Sequence, residues 1–402
     1  MTVNLRMVIF FLVVAGLSVG LHVYLVRRLV APFVLSKTAR RRVRWAAGLL
    51  VVLFLVAFLA RLDAGSAWAA VVQLLGYGYL GAFTVLAVLL AARDLVWVAL
   101  HGADRLAGGG RFLPRDPSRR RFLMAGANLA ILGAAGLDTG LGFAASRRKP
   151  KLVRVSVPIA GLHPALEGFR IAQVSDLHVG STVPSARLAE VVAQVNALGP
   201  DLVAVTGDLV DGSVADLAGE VAPVADFRSR HGTFFVTGNH EYYSGVLAWC
   251  EHLGWLGVRV LNDAHAVLEH EGARLLVAGV TDFRSVGHAP GHLSDPRAAL
   301  ADAPETDLRL LLAHNPKNAF VASEVGFDLQ MSGHTHGGQY FPFTWIIRLV
   351  LPFVEGMYRV AGMWLYVNRG TAHWGPPNRF GSTTEVTLYE LRAAPEAVNL
   401  KA

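Results

Sequence analysis

Val203-Ala-Val-Thr-Gly-Asp-Leu-Val-Asp211 decides the fold. Apolar and small residues run straight into Gly207-Asp208, so a buried strand delivers a carboxylate at its C-terminal end, where open α/β sheets build their sites. Four further stretches have the same form. Phe169–Asp176 leads into Asp176-Leu-His178, and Thr233–His240 ends in Gly238-Asn-His-Glu241. Leu308–His314 ends in a histidine, and Phe327–His336 ends in Gly333-His-Thr-His336. Apolar runs that repeatedly close on metal-ligand residue types predict an α/β domain with a polar site along one edge.

The rest of the chain has a different character. It has 402 residues, 53% hydrophobic, with mean hydropathy +0.41, too apolar for a wholly soluble protein. Residues 1–151 carry 20 Lys/Arg against 5 Asp/Glu, a net of +15, and the remainder has a net of −8. The basic pI near 9.7 therefore belongs to the N-terminal third and does not indicate a nucleic-acid surface, so no nucleic-acid partner is expected. Histidine is skewed the other way, with 13 of 15 after residue 151, where a metal site would need them. The lone Cys250 excludes an intrachain disulfide.

Residues 7–26, about 45–60, and about 67–92 are uncharged apolar runs without a polar face, and each reads as a bilayer span. A fourth run, 122–145, is rich in glycine and alanine and carries Asp138. Residues 27–44 hold seven Lys/Arg and 93–121 hold seven arginines, whereas 61–66 has only Arg61. Positive-inside bias puts the two basic loops in the cytoplasm and everything after residue 146 outside. Ser118-Arg-Arg-Arg-Phe-Leu123 reads either as a twin-arginine export signal or as an ordinary basic flank, and both readings give this orientation. The expected location is the cell (inner) membrane, multi-pass, with an extracytoplasmic domain.

Beyond the basic linker at 146–151, helices are expected over 186–198, 214–229 and 242–254. Strands are expected at 258–261, 265–270 and 274–281, the last two joined by Glu271-Gly272. Short helical pieces are expected at 295–301 and 318–323. Strands at 362–368 and 384–391 close the sheet.

Asp176, His178, Asp208, Asn239, His314, His334 and His336 offer oxygen and nitrogen donors in the mixture that a dinuclear site needs. Asn239 can offer only an amide oxygen, which suits a hard divalent cation. Glycines at 207, 238, 333, 337 and 338 allow backbone and phosphate to approach closely.

Taken together, Asp176-x-His178, Gly207-Asp208-x-x-Asp211, Gly238-Asn-His-Glu241, His314 and Gly333-His-Thr-His336 resemble the calcineurin-like metallophosphoesterases, all blocks in order over about 165–392. Gly337-Gly-Gln339 and Asn368-Arg-Gly370 are similar to the bacterial membrane-tethered phosphodiesterase branch. The spans in front resemble animal transmembrane proteins with a metallophosphoesterase domain. The resemblance implies an αββα sandwich preceded by an α-helical transmembrane region. The expected divisions are 1–146 membrane region, 147–164 linker and first strand, 165–392 metallophosphoesterase domain and 393–402 tail. It further implies two divalent ions (Mn, Fe or Zn), one held by Asp176, His178 and His336. Asn239, His314 and His334 would hold the other, with Asp208 bridging. His240 matches the catalytic histidine, suited to stabilising the transition state or protonating the leaving oxygen.

Other residues have plainer readings. His163, His231, His252, His265, His270, His288 and His292 are read as core or surface, His373 stays undecided, and Asp211 is read as supporting or capping. Glu241 is read as orienting His240 or starting a helix. One departure matters: protein phosphatases of this family follow Gly-Asp-x-x-Asp with a phosphate-gripping arginine, and here Gly212 stands in that place. Its loss disfavours a phosphomonoester dianion and favours a diester or pyrophosphate, with Arg369 or Arg379 as substitutes. The expected function is a membrane-tethered phosphodiesterase acting outside the cytoplasm. The alternatives are an inactive membrane sensor or scaffold, which the intact ligand set opposes, and a cytoplasm-facing nucleotide-sugar-lipid pyrophosphatase, which the topology opposes. Tyr340–Val354, apolar and interrupted by Arg348 and prolines, reads either as core, such as a hairpin under the site, or as an apolar lip on the bilayer that favours lipid-linked substrates.

Overall fold

The computed structural model describes residues 5–63, 65–108, 111–285 and 288–394, and the expected tail lies outside them from 395 onward. Four long helices come first: α1 (Leu5–Val30), α2 (Lys37–Leu59), α3 (Ala67–Leu106) and α4 (Pro117–Ser146). All four are long and apolar enough to cross a membrane. Ser36 caps α2 by accepting from Ala39 N–H, and Asp116 caps α4 in front of Pro117. The third helix continues past the apolar run ending at 92 to Leu106, with the charge of Asp94 met by Arg93 and by Arg28 of α1.

Two six-stranded sheets follow. The first has the order β1 (Lys151–Ile159), β12 (Glu385–Ala393), β2 (Arg170–Val174), β3 (Leu202–Thr206), β4 (Thr233–Val236), β5 (Arg259–Val260). The second has the order β10 (Gly356–Val360), β11 (Met363–Val367), β9 (Leu329–Ser332), β8 (Leu308–Ala313), β7 (Ala273–Val280), β6 (Ala264–His270). The expected closing strands at 362–368 and 384–391 therefore sit in different sheets. The central strands are parallel and buried on both faces, which is why they read as unbroken apolar runs instead of alternating ones. Ile171, Phe234, Leu275, Leu310, Met331, Tyr366 and Tyr389 pack between the sheets. Helices α5 (Ser185–Asn196), α6 (Val214–Val221) and α8 (Val246–Trp255) cover the outside of the first sheet; the helix expected over 242–254 is broken at Gly245 (φ +94°) into α7 (Asn239–Ser244) and α8. The short α9 (Ala319–Glu324) packs against the second. Gln173 ties the layers together, donating to Thr206 Oγ1 (2.7 Å) in one sheet and to Ser332 O (3.0 Å) in the other. This is the expected αββα sandwich behind a helical region.

Three local readings need correction. The helix expected over 214–229 stops at Val221 and gives way to a 3₁₀ turn, Ala222–Asp226, because Pro223 has no N–H to continue the ladder. The strand β10 was not foreseen; it exists as the antiparallel partner of β11. Tyr340–Val354 is not a hairpin: it holds α10 (Phe343–Ile346) and a 3₁₀ turn, Ile347–Leu349. Tyr340 and Phe343 pack against Val85, Leu86 and Leu89 of α3 and Ala135 of α4, and Thr84 Oγ1 lies 2.9 Å from the Tyr340 hydroxyl.

Candidate metal centre

The C-terminal ends of β2, β3, β4, β8 and β9 meet at one place, where both sheets open toward the same edge. Asp176, His178, Asp208, His334 and His336 all have positive φ, between 48° and 75°. Left-handed backbone at non-glycine residues is costly and concentrates at functional sites. Here it turns each side chain off its strand toward the shared centre.

The donors come close together. His336 Nε2 lies 3.3 Å from Asp176 Oδ1 and 3.1 Å from His178 Nε2. His314 Nε2 lies 3.2 Å from Asp208 Oδ2 and 3.1 Å from His334 Nδ1. Three overlapping groups result: Asp176, His178 and His336; His178, Asp208 and His240; Asp208, His314 and His334. His178 and Asp208 each belong to two of them and together join the groups. Asn239 Oδ1 is buried with no hydrogen-bond partner, which fits an amide oxygen serving as a cation ligand. Imidazole nitrogens facing each other at hydrogen-bond distance, with carboxylates between them, fit divalent cations by donor chemistry.

Surrounding groups fix the donors. The Thr206 carbonyl accepts from His314 Nδ1 (2.8 Å), which leaves Nε2 to face the site. Asp176 is held by Ser175 Oγ (2.6 Å) and by the His334 backbone N–H. Glu241 does not orient His240. Its carboxylate accepts from the backbone N–H of Gly238 (2.6 Å), Asp208 (3.0 Å) and Leu209 (2.8 Å), tying the ends of β3 and β4 together. Asp211 touches two histidines, lying 3.3 Å from His178 Nδ1 and in a very short contact with His240 Nδ1.

Charge follows this packing. Burial opposes ionisation of Asp208, but the imidazoles of His314, His240 and His178 outweigh it and hold its carboxyl well below the usual range. Burial and the neighbouring Arg379 guanidinium push His336 well below the usual imidazole value, keeping it unprotonated as a ligand must be. For His240, burial opposes the cation, yet Asp208 and Asp211 prevail and lift it to about 9.

Both arginines proposed as phosphate clamps are committed elsewhere. Buried Arg379 donates to the carbonyls of His336 (3.0 Å) and Arg369 (2.8 Å), and Arg369 Nε lies 2.7 Å from Glu355. Of the remaining histidines, His231 pairs with His270 (2.9 Å) and His292 with the Tyr242 hydroxyl (2.6 Å). His373 is buried close enough for His178 and Arg379 to depress its protonation. Two residues near the centre carried no signal in the sequence. Asp282, after β7, is buried with one oxygen unpartnered and acts electrostatically on His314 and His334. Arg61, between α2 and α3, has Nη2 3.9 Å from Asp211 Oδ1. Neither sits in a motif, and Arg61 is distant in the chain.

Comparison with known proteins agrees with this geometry. Residues 169–338 match the calcineurin-like phosphoesterase family model. The chain is 33% identical over 333 residues to a transmembrane protein with metallophosphoesterase domain of Danio rerio, covering 80% of this chain and 74% of that protein. It is 35% identical over 338 residues to the Bos taurus protein of that description, again covering 80% and 74%. An uncharacterized metallophosphoesterase of Helicobacter pylori strain J99 is 33% identical over 284 residues, covering 68% of this chain and 73% of that one. The first two similarities are longer than residues 147–402 and so reach into the helical region. Four apolar helices and these transmembrane relatives mark a membrane protein. The chain belongs to the calcineurin-like metallophosphoesterases.

Proposed function

We propose that the chain is a membrane-anchored phosphodiesterase or pyrophosphatase that holds two divalent cations and acts outside the cytoplasm on lipid-linked substrates. The observation that carries this reading is the convergence of the donors around a shared Asp208. Asp176, His178 and His336 would hold one cation, and Asn239, His314 and His334 the other. When bound, the cations (Mn, Fe or Zn by donor type) supply Lewis-acid charge at the phosphoryl oxygens.

The chain's own groups account for the remaining steps. His240 Nε2 lies 4.0 Å from Asp208 Oδ2, so the ring borders the reaction centre while Asp211 holds its other nitrogen. Its Nε2 is placed to deliver a proton to a leaving oxygen, with Asp211 fixing the ring through Nδ1. Tyr243 and Trp374 stack edge-on against His240, and both are exposed, so they line the approach. With Arg369 and Arg379 engaged by the protein and Gly212 without a side chain, a phosphorus bearing a single charge suits the site better than a dianion.

The orientation rests on charge: the α1–α2 and α3–α4 connections are basic and lie at the opposite end of the helices from the start of β1. Lipid preference rests on Trp345, Leu349 and Val350, which are exposed beside the apolar helices. Leu351, Pro352 and Phe353 of the same segment wall a small cavity against His334.

Full-length protein in detergent should contain metal by elemental analysis and hydrolyse a bis-aryl phosphate. Asp208→Asn should remove both, and an active variant would show that the shared-carboxylate assignment is wrong. Protease protection of the C-terminus in sealed vesicles tests the side of the membrane.

A further inference from the structure

Arg61 reaches the metal centre from the membrane region. It lies in the turn Ala60–Asp63 that joins α2 to α3, on the end of the helices where the catalytic domain sits. Gln73 of α3 donates to Ala60 O (3.1 Å) and to Ser181 Oγ (3.2 Å), so one side chain clamps this turn to the loop after His178. Trp68 Nε1 donates to Asp63 (2.8 Å) and fixes the other end of the turn. Gly65 sits so close to Asp216 that an added Cβ would lie 3.2 Å from its carbonyl oxygen. The turn is therefore docked on the domain.

Tyr77 of α3 lies near the Arg61 guanidinium on one side. On the other side Nη2 is 3.9 Å from Asp211 Oδ1, too far for a hydrogen bond. That oxygen already faces His178 and His240. Asp211 therefore does not saturate the Arg61 donors. The Arg61 side chain is 29% exposed, and Asp211, on which it borders, contacts His240. An arginine fork presents paired N–H donors that match phosphoryl oxygens.

We propose that Arg61 is a substrate-binding residue whose guanidinium takes a non-bridging phosphoryl oxygen, so that the site is completed by the α2–α3 turn. This rests on the phosphoester reading above. The ligand class is a phosphodiester or pyrophosphate bound at the seam between helices and catalytic domain.

The test uses the full-length, metal-loaded protein in detergent with Arg61→Gln and Arg61→Lys. Inorganic phosphate binding is read by calorimetry, independently of turnover. KM is read for a soluble bis-aryl phosphate and for phosphatidylglycerol in mixed micelles. Arg61→Gln should weaken phosphate binding and raise both KM values about tenfold or more, with metal content and melting temperature unchanged. Arg61→Lys should recover part of the loss, because the charge is kept and the fork is not. Unchanged phosphate affinity overturns the proposal. So does loss of metal alongside affinity, which would make Arg61 a support for Asp211, or an effect on the micellar substrate alone, which would make it a membrane anchor. Wild-type protein that binds phosphate through Arg61 but hydrolyses neither ester would refute the enzymatic reading and leave this contact standing.

Discussion

At the scale of single residues, the function proposed above would have His240 and Asp211 separate binding from chemistry. His240 contacts Asp211 through Nδ1 and keeps Nε2 for the reaction side, so removing its ring takes away a proton donor without removing a donor from either predicted ligand set. His240→Ala should keep metal content near wild type and lower kcat by about 10²-fold. The loss should shrink as the leaving group becomes a weaker base; equal losses across a leaving-group series would argue against an acid role. Asp211→Asn should behave differently, because the same carboxylate also steadies His178 Nδ1 at 3.3 Å. That variant should lose metal affinity as well as turnover. Asp211 stood in the sequence as a supporting residue one turn past its strand, and nothing there indicated that it joins two histidines. Such a contact depends on the loop closing back over β3, which spacing does not encode.

At the scale of elements, the glycines at strand ends set how closely the two sheets' loops can meet. Gly207 has φ +83°, and a Cβ there would lie 2.6 Å from Gly238 N and 2.8 Å from His314 Nδ1. Gly207→Ala therefore combines left-handed strain of about 1–2 kcal/mol with a collision against backbone that cannot yield freely. It should lower the melting temperature and weaken metal binding together, measured by thermal unfolding with and without added metal. A variant with wild-type metal affinity would mean the β3 and β4 ends can part without disturbing Asn239 and His314. The strand ends were legible because a parallel strand buried on both faces must be a continuous apolar run, and its last residue is where polarity begins. Sheet membership was not legible: β11 and β12 look alike in sequence yet pair with β9 and β2 respectively. Arg61 was hidden for a related reason. Its significance comes from a turn in the membrane region docking on Asp211, a contact 150 positions away.

At the scale of the whole molecule, the metallophosphoesterase domain is joined to the helices by more than the chain connection at residue 147. Asn378 donates to Asp138 of α4 (2.7 Å), the Arg379 backbone N–H donates to Gly142 O (3.0 Å), and Arg379 continues to His336. The apolar segment after the Gly333–His336 motif lies along the same seam. Its first part, Tyr340 and Phe343, packs on α3 and α4, so that part is core. The middle is different: Trp345 is 70%, Leu349 87% and Val350 73% exposed, next to helices whose own outer faces are apolar. Exposed aliphatic and aromatic side chains beside spanning helices belong at a bilayer interface, where an acyl chain would meet them. Arg348, between them, is tied to Glu355, so its charge is already compensated at that edge. Replacing Trp345, Leu349 and Val350 together by Ser removes apolar surface without opening a cavity, since none of the three is buried. The triple variant should raise KM for a lipid phosphodiester in mixed micelles several-fold and leave bis-aryl phosphate hydrolysis and melting temperature unchanged. Parallel loss of both activities with a lower melting temperature would show that the segment supports the fold, and the lipid-facing reading would fail.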